Sequence, residues 1–280
     1  MRFPLKSSFF RLFRTKLFFW VIVFSLVTGI GVFFNFCSEE LMMYSYSTLG
    51  RPRYFDTDCL ILCIYNIVHV FPFGSAVFCM MFTGSDISSR TINNKIVTGT
   101  KRITLFIADA LVAVFATIFS IMISFAVLFV LVKFVPVKES VEINGKVIQS
   151  VFYIAVICIA FTEFFTLLQF FFSNKLFGVI VSMFLIPAIM TYPSIVRQVL
   201  DQPYRYSYND ETTGETVWEL NPAYVSGNER EALNFSLEIN PYYEILMRES
   251  GSAKSEVAAG VVILLSTAAG VVSISRKEFP

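Results

Sequence analysis

Six apolar runs, each near or above the length that crosses a bilayer, constrain this chain more than any other feature. They are Leu17 to Phe36, Cys59 to Phe82, Ile103 to Val135, Val151 to Phe172, Leu176 to Val196 and Val257 to Ile274. About 20 apolar residues in a helix cross a hydrocarbon core of ~30 Å, and a helix satisfies its backbone amides internally where no water can. The third run exceeds that length, which puts its first turns at the interface around Asp109. The chain is 55% hydrophobic and carries 32 Phe, with a mean hydropathy of +0.66. Soluble domains are about 45–50% apolar even with Gly counted, and here the excess lies in blocks that one soluble core does not need. The expected class is an all-α integral membrane protein with six transmembrane helices. A net charge of +1 leaves no basic field for a nucleic-acid partner.

Charge placement orients the runs. With the N-terminus in the cytoplasm, the segments on that side hold 12 of the 22 Lys and Arg, and the opposite loops hold 17 of the 21 acidic residues. The basic excess in short segments is the one that sets topology. Both termini are therefore expected in the cytoplasm of a plasma-membrane protein. Residues 1–16 interleave Arg2, Lys6, Arg11, Arg14 and Lys16 with six apolar side chains, the pattern of a basic amphipathic helix lying at the interface. The first run is too long for a signal-peptide core and lacks a small-residue exit, so it reads as an uncleaved anchor. Spans one to five occupy 17–196. An outer loop or small ectodomain fills 197–256, with 11 acids, Trp218 and the pairs Asn221-Pro222 and Asn240-Pro241. The last span and a cytoplasmic tail follow at 257–280.

The polar, basic segment 83–102 between the second and third runs has helix grammar. Ser85 or Asp86 can cap, Ile92 and Ile96 form an i, i+4 pair, and Gly99 can end the helix, so one helix over Ser85 to Thr98 is expected. Its basic residues Arg90, Lys95, Lys101 and Arg102 point elsewhere. Such a short helix has nothing of its own to pack on and needs a partner surface or the headgroup layer. The order Asp86, then Thr91-Ile92-Asn93-Asn94-Lys95, then Gly99 and Arg102 resembles the first cytoplasmic loop of type-2 ABC exporter permeases. A second stretch, NPAYVSGNEREALNFSLEINP from Asn221, resembles the outer loop before the last span in that family.

The resemblance implies a permease subunit with a cytoplasmic coupling helix. Two such subunits, identical or paired with a related chain, would enclose a path in the lipid bilayer and recruit ABC ATPase subunits. Asp86, Arg90, Thr91, Ile92, Asn94, Lys95, Ile96, Gly99 and Arg102 would make the ATPase contact, with Ile92 and Ile96 filling a groove and Asp86, Arg90 and Lys95 at its rim. The chain carries no G-x-x-x-x-G-K-[ST] phosphate loop, so ATP would be bound by the partner, and no enzymatic activity or cofactor is expected of the chain itself. The implied cargo is an amphipathic peptide, a lipid or a drug-like molecule.

Three ionisable residues inside the runs are candidates for the path or its gate. Glu163 reads equally as a path, gating or proton-carrying group and as a hydrogen-bonded packing residue near Thr162, Thr166 or Gln169. Asp109, two turns past Arg102, reads as paired with a base or facing water more readily than as a proton carrier. His69, flanked by Asn66 and Pro72, reads as a packing histidine on a kink-prone stretch. The five cysteines give no metal spacing with the single histidine, and Cys37 and Cys59 read as small apolar residues rather than a pair. Ala259, Ser266 and Gly270 line one face of the last run, a seam for close helix packing. Two other readings stay open. One is an ion-coupled secondary transporter using Glu163 and Asp109, against which no internal repeat is visible. The other is a membrane sensor or immunity protein whose outer loop binds a peptide.

Overall fold

The computed structural model describes residues 2–37, 55–89, 91–134, 141, 143–172, 174–209, 216–240, 242–243 and 253–276. Six helices in it are long and apolar enough to cross a membrane. The chain is an all-α membrane-embedded fold with almost no sheet. The order is α1 (Arg2–Arg14), α2 (Lys16–Phe36), α3 (Thr57–Cys79), a π turn (Met80–Gly84), α4 (Ser85–Ser88), α5 (Thr91–Val97), α6 (Arg102–Val132), α7 (Gly145–Phe172) and α8 (Lys175–Leu200). Strands β1 (Arg205–Asn209) and β2 (Thr216–Leu220) follow, then α9 (Gly227–Glu238) and α10 (Ala253–Arg276).

Residue size and spacing explain the packing. The buried residues of α2 are Val21, Ser25, Thr28, Gly29, Val32, Phe33 and Phe36, a single stripe at helical period that faces α6. Gly29 stands where a side chain would meet the Ser124 carbonyl at 2.9 Å, so the two helices close on backbone contact. Ser25 pairs with Ser120, and the Ser124 hydroxyl donates to the Ser25 carbonyl at 3.0 Å. By contrast α7 is more than half buried, packed on α3, α6 and α10, and is the central column. Its Thr162 meets Thr117 of α6 at 2.8 Å and Ser75 of α3 at 3.3 Å. These hydroxyls bond one another across the apolar interior. The seam on α10 packs inward: Ala259, Ser266 and Gly270 are buried within this chain, and Gly270 lies against the Phe106 ring, where a Cβ would come within 2.1 Å.

Helix ends differ from the apolar runs in both directions. The second span does not stop at Phe82 but winds through the π turn to Ser88. The fourth begins at Gly145, six residues before its apolar run, because the Asn144 side chain accepts from the Val147 amide at 3.0 Å and caps an extra turn. No disulfide joins any of the five cysteines.

The segment after α8 folds onto the end of that helix and is not a plain connector. A two-stranded antiparallel hairpin pairs Arg205 with Leu220 through Asn209 with Thr216. Leu237 of α9 packs with Val196 and Leu200. Arg230 donates to the Leu200 carbonyl at 2.8 Å, supplying a cation to the C-terminal end of α8. Pro193 has no N–H to give the Ile189 carbonyl one turn back; the Asn240 side-chain amide donates to that oxygen instead, at 3.3 Å. The loop 38–54 and most of 135–142 lie outside the described residues.

Candidate functional site

At the end of the bundle where α3 passes into α6, four segments converge. The expected single helix over Ser85 to Thr98 is two short helices, α4 and α5, separated at Ser89. Hydroxyls compete for the backbone at the break: Ser88 Oγ donates to the Ser85 carbonyl at 3.1 Å, and Ser89 and Thr91 hydroxyls bond each other at 2.8 Å. Neither expected N-cap forms. Ser85 Oγ donates to the Phe82 carbonyl at 3.0 Å, and Asp86 is engaged by cations. The expected C-terminus does form. Gly99 has φ +91, its N–H bonds the Ile96 carbonyl at 2.9 Å, and the Thr100 N–H bonds the Lys95 carbonyl at 3.0 Å. Those two bonds are a Schellman motif, which a residue with a Cβ would strain.

Asp86 is 5% exposed. It accepts from Lys95 Nζ at 2.9 Å and pairs with the Arg11 guanidinium of α1. Arg11 also reaches Asp109 of α6 at 3.5 Å, Ser8 Oγ donates to Asp109 at 3.0 Å, and the Arg11 guanidinium lies 3.8 Å from the centre of the Phe82 ring. Burial pulls the Arg11 pKa below its ordinary value, opposed by the Asp109 charge. Burial also lowers Lys95, with Asp109 again opposing. Two carboxylates and two cations thus share one half-buried site, and none is left without an opposite charge. Of the two readings open for Asp109, it takes the paired one. The N-terminal helix does not simply lie at an interface: Ser8 and Leu12 are buried and α1 packs on α6, while Phe10 and Phe13 stay exposed.

The apolar pair is not free for a partner, contrary to the sequence expectation. Ile92 is 2% exposed and packs with Leu105 and Phe106 of α6, Phe170 of α7 and Ile274 of α10, with Ile96 half-buried beside them. The reason is proximity: α5 lies over the ends of three spans, which offer an apolar surface that the loop sequence alone does not reveal. The outward face of α5 is instead Asn94, Val97 and Thr98, with Val97 86% exposed. These three positions share one helical face by their i, i+3 and i+4 spacing. Thr91 is half-buried, and Arg102 opens α6. Arg90 lies outside the described residues.

Glu163 and His69 stand apart from this cluster. Glu163 is 6% exposed in the centre of the bundle, within hydrogen-bonding reach of Thr267 on α10, and its Oε2 has no partner among the described residues. The expected neighbours Thr162 and Thr166 bond to carbonyls of their own helix instead. The His69 ring lies edge-on to Tyr242 at 5.4 Å, at the opposite end. Sequence reasoning missed Arg11, Ser8 and Val97. Among five cations in the first 16 residues nothing marks Arg11, except that Ser8 and Leu12 flank it on the inward face. A scan against protein-family models gives no match for this chain, and a search of the curated proteins gives none either.

Proposed function

We propose that the chain is the permease subunit of a type-2 ABC exporter in the plasma membrane, with both termini and the 83–102 segment in the cytoplasm. Two permease subunits would enclose a path for an amphipathic peptide, lipid or drug-like molecule, and a separate ATPase chain would supply the energy. The observation that supports this most is the double-sided character of α5. One face is fastened to the spans by Ile92 and by the Asp86–Lys95 pair, and the other presents Asn94, Val97 and Thr98 outward. A helix built in this way transmits force. A push on Val97 bears through Ile92 on the ends of α6, α7 and α10, and through Asp86 and Arg11 on Asp109. The spans tilt together because interdigitated side chains are nearly incompressible.

The test is Val97→Asp. It puts a charge on the proposed contact without touching the bundle, so insertion and thermal stability should be unchanged while an ATPase bearing a phosphate loop no longer copurifies. Wild-type recovery of that ATPase with Val97→Asp would overturn the coupling role. The apolar anchor expected from the sequence, Ile92, is no test, because it is buried and its truncation opens a cavity in the fold. A second reading, ion-coupled transport, is favoured by the unpartnered Oε2 of Glu163. Transport that runs down with an ion gradient while ATP is held constant would select it.

A further inference from the structure

A cavity of about 400 Å³ lies between α2, α3 and α6, within the ~300–1,000 Å³ of ordinary ligand sites. One wall is a single stripe of α2, Leu17, Trp20, Val21 and Phe24, and the opposite rim is Val77 and Met81. Ser75, Thr117 and Ser120 also line it, but their hydroxyls are already bonded to Thr162 and Ser25. The cavity therefore offers a solute an almost wholly apolar lining and selects hydrocarbon. The seven steps from Leu17 to Phe24 rise about 10 Å, so the cleft runs inward from the α1 end of the bundle.

Its entrance is cationic. Lys16 stands one residue before Leu17 and four before Trp20, on the same helical face, and Lys6, Arg14 and Lys16 are all exposed. The acids described at this end, Asp86 and Asp109, are taken up by Arg11 and Lys95. Trp20 is 56% exposed five residues into its span, and an indole favours the level at which headgroups begin. We propose that this cleft binds one acyl chain of an anionic phospholipid, whose phosphate is held by Lys16. A second copy of the chain fits the site less well, because a two-fold contact there sets two identical cationic collars against each other. A phospholipid brings the opposite charge and the narrow chain together. The site does not depend on the exporter reading.

Trp20 reports on its own cleft. The chain has two Trp, so Trp218→Phe, on the exposed hairpin, leaves Trp20 as the sole indole. In phosphatidylcholine bilayers, brominated-chain phosphatidylglycerol should quench Trp20 with an apparent affinity about fivefold above that of brominated-chain phosphatidylcholine, the factor one interfacial cation provides. Lys16→Gln should bring that ratio to about one, while Lys101→Gln, on an exposed residue away from the cleft, should leave it. Equal quenching by the two lipids in the Trp218→Phe protein would mean bulk lipid contact only and overturn the proposal. Quenching by neither would mean that protein covers the cleft and would overturn it too, as would a ratio that survives Lys16→Gln. Because no ATPase or transport is measured, failure here leaves the proposed function untouched.

Discussion

Arg11 of α1 and Asp109 of α6 are 98 positions apart in the chain and 3.5 Å apart in the fold. Through Asp86, the same guanidinium also holds the segment that leads into α5. One side chain therefore ties the N-terminal helix, the short helices and the third span into one body.

Removing that side chain leaves two nearly buried carboxylates facing one lysine. Arg11→Ala should destabilise the detergent-solubilised protein by about 3 kcal/mol, the loss expected when one partner of a buried pair is deleted. Asp109→Asn in the same background should recover part of it, since the stranded charge is then gone. Arg11→Lys should not substitute, because an ammonium cannot fork between Asp86 and Asp109. Thermal unfolding checks this, and a wild-type midpoint for Arg11→Ala would sink it.

The contact of Gly270 with Phe106 leaves no room for a methyl group. Gly270→Ala should cost about 1–3 kcal/mol, the usual range for overpacking. Phe106→Leu alone should also destabilise, by opening a void beside Phe170 and Ile92. Together the two should cost less than their sum. Strict additivity in a double-mutant cycle would show that the ring and the glycine do not constrain each other.

Six spans were legible because a bilayer demands about 20 apolar residues whatever the neighbours are. The Gly99 terminus was legible too, since a positive φ selects glycine. The choice of Arg11 over four other N-terminal cations was not, and neither was the inward turn of Ile92. Both depend on which surfaces meet after the spans have assembled, and no local period encodes that. Nor does the Glu163 sequence neighbourhood name its contact, Thr267, which comes from a span about a hundred residues later.

Glu163 is a buried acid with one oxygen unpartnered among the described residues, a feature that costs stability in proportion to the unmade bonds. Glu163→Met, similar in length and apolar, should raise the stability of the solubilised protein by about 1–2 kcal/mol while impairing transport in the proposed role. A lowered midpoint would show that the carboxyl holds the bundle together through bonds Met cannot make.

The orientation is checked by impermeant thiol labelling. Ser89→Cys, at the α4–α5 break, should be protected in intact cells, and Asn228→Cys, exposed on α9, should react. Both sites lie on exposed polar segments, and the native thiols of α3 and α7 are buried. The reverse pattern would invert the molecule in the membrane.

The bond from Asn240 to the Ile189 carbonyl has a mechanical consequence. A proline normally leaves its helix with a loose acceptor that water or a neighbour must quiet, and here the quieting group is borrowed from a segment 51 positions downstream. Span five and the segment folded over its end are thus joined like a hinge to its pin. The joint can open only where water is at hand to take the amide's place. Any excursion of this helix is consequently gated by wetting at the Ile189 carbonyl: dry, it moves with its cap as one piece, and wet, it is free to bend alone.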